Sequence, residues 1–269
     1  MRLAWLTDIH LNFLLAEQSL EFLRFVRSAD PNALLISGDI GEAHNLSRYL
    51  ELIDDEIGRP IYFVLGNHDF YHGSIVAVRA SVAQLCERRP HLHYLSQCNE
   101  PLELTPSMAI VGHDGWADGR IGDYERSIVQ MSDWQLIAEF IGHGKLERWS
   151  ILQALADEAA AHLRRVLPPA LDKYQTVLVL THVPPVREAC WHQGQLSDDQ
   201  WAPHFTCKAV GDVLVDLAQR YPHREIEVYC GHTHGAGKCR PLRNLVIHTG
   251  SAEYGCPQIQ SLLELKALS

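Results

Sequence analysis

IYFVLGNHD, residues 61–69, runs through five apolar residues without a break, meets one glycine and ends on three polar side chains. A strand with one face in water alternates apolar with polar. An unbroken apolar run belongs instead to a strand covered on both faces, as in a parallel sheet. The same unit stands twice upstream, as ALLISGD (33–39) and LAWLTDIH (3–10). Between these runs, LLAEQSLEFLRFVRSA (14–29) places Leu20, Leu23 and Val26 along one helical face. Further helical stretches span about 45–57 and 74–88. Strand and helix alternate three times, which predicts an α/β protein with a largely parallel sheet between helices. In such a sheet all the C-terminal tips fall on one edge, where binding and catalytic groups gather. Asp8, His10, Asp39, Asn67 and His68 are therefore expected to be neighbours in space.

Further along, HLHYL (91–95) and SMAIVGH (107–113) read as strands. The stretch 115–150 is rich in Gly, Asp and aromatic residues, with a short helix expected around 132–140, and reads as an excursion that caps the site. Residues 150–166 form a helix that Pro168–Pro169 should end, because proline supplies no backbone N–H. TVLVL (176–180) delivers Thr181–His182, and 186–207, holding Trp191, His192, Trp201 and His204, reads as a second loop. Residues 208–220 look helical, EIEVYC (225–230) delivers GHTH (231–234), and LVIHTGS (245–251) is expected as the closing strand. No repeat or linker divides the chain. Residues 1–269 are expected to form one domain, with 115–150 and 186–207 as cap or specificity segments.

The bulk numbers narrow the partners. Of 269 residues, 46% are hydrophobic and 21% charged, as in ordinary soluble globular proteins. The formal charge of -10 disfavours a large nucleic-acid partner, which calls for a positive surface, but leaves room for a small phosphorylated substrate. No run approaches the roughly 20 apolar residues of a membrane helix, so no membrane partner is expected. The odd count of seven cysteines, without CxxC spacing, argues against a disulfide scaffold and for a cytoplasmic location. Nothing identifies a protein partner.

Asp8, His10, Asp39, Asn67, His182, His232 and His234 supply oxygen and nitrogen donors at five strand tips. That mixture suits Mn, Fe or Zn better than an all-thiolate structural site, and seven donors are enough for two ions sharing one carboxylate. Asp8-x-His10 and His232-x-His234 would each project two side chains the same way if the backbone were still extended. Gly38, Gly66 and Gly231 each precede a donor, where a missing side chain lets backbone approach a crowded centre.

The ordered set DIH (8–10), GD (38–39), GNHD (66–69), THVP (181–184) and GHTH (231–234) resembles that of the calcineurin-like metallophosphoesterases. The similarity runs from residue 3 to about 250 and leaves 115–150 and 186–207 unexplained. It implies a four-layer α/β/β/α sandwich with two central mixed sheets and a dinuclear centre. It implies one ion on Asp8, His10, Asp39 and His234, and another on Asp39, Asn67, His182 and His232. The two divalent ions would be Mn or Fe first, with Zn, Co or Ni as the other candidates. A metal-bridging hydroxide would attack a small phosphomonoester or phosphodiester, a nucleotide or cyclic nucleotide among them. His68 would protonate the leaving group, Asp69 would hold its tautomer, and His113, at a strand tip, is a candidate substrate contact. Protein phosphatases of the family carry an Asp–Arg–Gly that GDIGEAH (38–44) lacks. The rival reading is a non-catalytic scaffold that binds proteins, which lost ligands would mark; none is lost.

Overall fold

In the computed structural model of the chain, which describes residues 1–265, the first four strands and the last build one sheet and the strands between them build another, apart from a short separate hairpin. β1 (Arg2–Leu6), α1 (Ala16–Ser28), β2 (Ala33–Ser37), α2 (Leu46–Ile57), β3 (Ile61–Val64), α3 (Ile75–Arg88) and β4 (Leu92–Tyr94) follow one another as strand and helix. The four strands pair in parallel in that order, as the alternation demanded. β5 (Leu102–Thr105) and β6 (Met108–Gly112) open the second sheet as an antiparallel pair.

Then come a single turn, α4 (Asp133–Leu136), and a 29-residue helix, α5 (Lys145–Lys173). Pro168 and Pro169 lie inside α5 rather than ending it. Leu167, Ala170 and Leu171, on either side of the prolines, are buried against the second sheet, and that burial outweighs the two lost backbone donors. β7 (Thr176–Leu180) follows. A hairpin of β8 (Trp191–His192) and β9 (Gln195–Leu196) and the short α6 (Ala202–Phe205) give the expected second loop some internal order.

After α7 (Lys208–Arg220) come β10 (Glu225–Cys230), β11 (Gly237–Leu242) and β12 (Leu245–Thr249). β12 does not close the fold. β13 (Ser261–Glu264) crosses back to pair antiparallel with β1. The sheet orders are β13-β1-β2-β3-β4 and β11-β12-β10-β7-β6-β5, parallel at the centre and antiparallel at the added edges.

Period-two alternation explains the layers. Leu3 and Trp5 of β1 face the second sheet and pack with Ile110, Leu178 and Tyr229. Ala4 and Leu6 face the other way, toward Phe22, Leu23, Leu50 and Val82 of the helices. Val177 and Val179 of β7 turn similarly to Leu163, Val166, Val213 and Leu214 of α5 and α7. The result is a four-layer α/β/β/α sandwich with two mixed sheets at its centre. All seven cysteines are free.

Candidate metal centre

The tips of β1, β2, β3, β7 and β10 meet along one edge of the sandwich. β1 and β2 are tied there by Asp8 N–H to Gly38 O and His10 N–H to Asp39 O, both 3.0 Å. The extended backbone expected for the two x-spaced pairs is not what forms. Asp8, His10, Asp39, His232 and His234 all adopt left-handed conformations, with φ between 40° and 69°. A strand running straight on would carry these side chains past one another; a left-handed residue turns the chain so that they converge. Each such non-glycine residue costs roughly 1–3 kcal/mol, and such strain gathers at functional sites. Crowding confirms the convergence at Gly38: a Cβ there would lie 2.6 Å from both Gly66 N and His182 Nδ1.

Asp8, His10, Asp39 and His234 offer donor atoms that all lie within 4.8 Å of one another. His10 Nε2 and His234 Nε2 are 3.3 Å apart, and His234 Nε2 stands 3.4 Å from Asp8 Oδ1. The Thr7 hydroxyl (2.6 Å) and the His232 N–H (3.0 Å) donate to Asp8 and fix its carboxylate. Asn67, His182 and His232 form a second group. His182 Nε2 and His232 Nδ1 lie 3.2 and 2.9 Å from the same atom, Asn67 Oδ1. Asp39 stands between the groups, its Oδ2 3.4 Å from His182 Nε2 and 3.7 Å from His10 Nε2.

The second group shows what these residues are suited to hold. His182 Nδ1 donates to Ser37 O (2.8 Å) and His232 Nε2 donates to His204 O (3.0 Å), which leaves His232 Nδ1 as a lone pair and turns His182 Nε2 toward Asp39 and Asn67. Asn67 Nδ2 donates to Asp133 Oδ1 (2.9 Å) and Tyr71 Oη (3.2 Å), so its carbonyl oxygen is the atom turned inward. The His232 lone pair and the Asn67 carbonyl oxygen thus face each other as two acceptors, an arrangement that a cation relieves, while His182 Nε2, protonated without one, would ligate by giving up that proton. Outer carbonyls that orient ligand imidazoles in this way are the usual support of a metal site. The residues fit divalent ions.

Charge agrees with the geometry. Burial opposes ionisation of Asp39, yet His182, His68 and His10 outweigh it and hold the carboxyl well below its usual range. Asp8 is lowered in the same way, burial being overcome by its bond with His234 and the nearby His182. Burial disfavours charge on His182 too, but Asp39 and Asp8 raise it to about 10 in the absence of a cation. Burial instead dominates at His10 and His232, both pushed down to about 4 and therefore neutral.

Two expected roles change. Asp69 is not hydrogen-bonded to the His68 ring; its carboxylate accepts the backbone N–H groups of Asp39, Ile40, Gly41 and Gly66 at 2.8–3.0 Å. It is fully buried because the turn His68–Phe70 points it inward, and it clamps the loop of β2 to the loop of β3. His113 is not brought to the centre. It is buried beside His162, their rings 5.2 Å apart, in a separate cavity with Ser96 and Arg165. His68 does face the cleft, with its N–H on Asp39 Oδ1 (2.9 Å) and its ring 4.7 Å from His10.

The sequence reading passed over Asp133, Tyr71 and Tyr254. Asp133 lies in the unexplained stretch 115–150, where no spacing ties it to Asn67. Tyr254 lies beyond the last motif, its ring 4.7 Å from His10 and 5.0 Å from His234. Of the aromatic residues in the two loops, Trp116 and Trp134 are core, packed on Phe140, while Trp201 and His192 line the cleft. The loops are zipped together, Asp118 N–H on Thr206 O (3.1 Å) and the Ser127 hydroxyl on Gln200 O (2.8 Å).

A family model for calcineurin-like phosphoesterases matches residues 1–236. The chain belongs to the calcineurin-like phosphoesterase family. As a calcineurin-like phosphoesterase it is a metal-dependent phosphoester hydrolase, and the family implies a dinuclear divalent centre, for which the Asp8–His10–Asp39–His234 cluster supplies donors. No curated protein matches the sequence.

Solved structures share the fold of this calcineurin-like phosphoesterase at low identity. Phosphopantetheinyl hydrolase from Mycobacterium tuberculosis aligns at 16% identity and TM-score 0.65, over 94% of this chain and 89% of that one. A dimetal phosphatase from Danio rerio aligns at 15% and 0.55, over 93% and 87%. TT1561 of Thermus thermophilus aligns at 13% and 0.55, over 93% and 89%.

Proposed function

We propose that the chain hydrolyses a small phosphomonoester or phosphodiester, nucleotides and cyclic nucleotides among them, at two divalent cations that share Asp39. The convergence of His182 Nε2 and His232 Nδ1 on Asn67 Oδ1, beside the Asp8–His10–Asp39–His234 cluster, carries this reading. Asp8, His10, Asp39 and His234 would hold one ion, and Asp39, Asn67, His182 and His232 the other. When bound, the ions, Mn or Fe first and Zn, Co or Ni as alternatives, supply Lewis acidity and lower the pKa of water toward neutrality.

The chain's own groups do the rest. Asp8 and Asp39 offset only part of the cationic charge, so a phosphate oxygen is drawn in despite a net surface charge of -10. Asp133 keeps the Asn67 carbonyl turned inward. His68 stands beside the donors and opens onto a cleft of about 310 Å³, where it gives its proton to the departing alkoxide. Asp69, saturated by four N–H donors, keeps the β2 and β3 tips in register instead of serving His68. Residues 115–150 and 186–207 contribute lining to the cleft within one domain. A protein-binding scaffold would not need seven converging donors, five of them on residues held in strained conformations.

The test is metal analysis of the purified chain, then hydrolysis of monoesters, linear diesters and cyclic nucleotides with each metal. Two ions per chain and turnover on at least one class are expected. His68→Ala should keep its metal and lose about 10²–10⁴-fold in turnover on esters with poor leaving groups. Wild-type turnover by that variant on such an ester removes His68 from the chemistry; a chain that takes up no divalent ion removes the whole reading.

A further inference from the structure

The cleft differs sharply between floor and walls. The floor is the cluster of donors. One wall is Tyr254, whose ring lies 6.1 Å from that of His68 and packs on Phe13 at 4.6 Å. Another part of the lining is Trp201 stacked on Phe205, with centroids 5.1 Å apart and planes 26° apart, and Phe205 in turn meets His232 at 5.3 Å. Tyr254 is 47% exposed and Phe13 51%, so an aromatic pair stands open to water at the mouth of the site. A purely structural aromatic cluster would bury those rings, as Trp116 and Trp134 are buried. Tyr254 also lies outside residues 1–236, the stretch common to the family.

The charge inventory is equally one-sided. Among the described residues lining the cleft, none is Lys or Arg. The cations on the floor can meet one phosphoryl group, but further phosphates of a polyphosphate or of nucleic acid would find no positive partner.

We propose that the substrate carries a single phosphoryl group on an alcohol bearing a planar aromatic or heteroaromatic ring. The ring lies against Tyr254, beside His68, which protonates the leaving oxygen, with Trp201 and Phe205 lining the same cleft. The inference rests on phosphoester hydrolysis at this centre. Ring-on-ring contact contributes about 1–3 kcal/mol by alanine substitution, and each 1.4 kcal/mol is about tenfold in affinity.

The experiment compares phenylphosphonate with methylphosphonate, both non-hydrolysable, by calorimetric titration of the metal-loaded full chain. Phenylphosphonate should bind about tenfold tighter. Tyr254→Ala should erase that advantage and Trp201→Ala reduce it, at unchanged metal content and melting behaviour. Phenyl phosphate and a nucleoside monophosphate, run side by side, separate a bare aryl group from a nucleobase as the ring's source. A nucleoside triphosphate should be turned over no faster than the matching monophosphate. Equal affinity for the two phosphonates, or a preference for the triphosphate, overturns the inference while hydrolysis itself stands. If neither phosphonate binds and no ester is cleaved, the hydrolase reading falls and takes the inference with it.

Discussion

Buried histidines and a carboxylate meet in two places, at the strand-tip centre and around His113, His162 and Asp114, and the two are built on opposite plans. Around Asp114 every acceptor has a donor. Its carboxylate receives Leu65 N–H (2.8 Å), the Ser96 hydroxyl (2.7 Å), the Tyr94 hydroxyl (2.6 Å) and Arg79 Nε (3.0 Å). His113 Nδ1 accepts Gly115 N–H (3.2 Å), and His162 Nδ1 accepts from Arg165 (3.1 Å). Burial pushes those histidines down to about 3 and about 4, so both are neutral. What is left over is donors, Arg79 Nη2 and His162 Nε2. At the centre two acceptors, Asn67 Oδ1 and His232 Nδ1, are turned toward each other. A histidine count would treat the two clusters alike; a donor–acceptor account separates a cation site from a self-satisfied structural network.

That contrast can be broken by substitution. Asp39→Ala should have the largest effect, since the carboxylate touches both groups; metal analysis should find fewer than two ions per chain and turnover should be lost. Two retained ions would show that Asp39 is no bridge. Asp114→Asn should act on stability, because Arg79 is then buried beside an amide. Denaturant unfolding should register a loss of about 3–5 kcal/mol. A loss of metal without a loss of stability would make Asp114 part of the centre. Asp133→Asn should weaken metal affinity by about 10–100-fold through the freed Asn67 amide, read by competition with a chelator. His113→Phe, the smallest change, should leave metal content at the wild-type value; a drop there would merge the two clusters and defeat the comparison.

Much of this was legible beforehand for physical reasons. Runs such as ALLIS and IYFVL are apolar throughout because both faces of each sheet are covered, so they declare themselves as strands. The donors sit at strand ends because parallel strands share one edge, so linear order becomes spatial adjacency. Asp69 misled because neighbours in sequence need not face the same way: in the turn after Gly66, His68 opens to the cleft and Asp69 points into the protein. His113 misled for a related reason. It occupies a strand tip of the right kind, but its ring turns toward His162 on α5.

The sequence by itself determined the class of fold, the strand tips and the chemical types gathered there, since hydrophobic periodicity and glycine placement are local properties of the chain. Only the tertiary structure decided that α5 runs through two prolines, because burial against the second sheet outweighs two missing hydrogen bonds. It alone decided that Asp8, His10, Asp39, His232 and His234 are left-handed rather than extended. It also chose which polar atoms face an acceptor and which face a donor. Those outcomes depend on atoms brought together from stretches more than a hundred residues apart, such as Asn67 with His182 and His232, and no local pattern carries them.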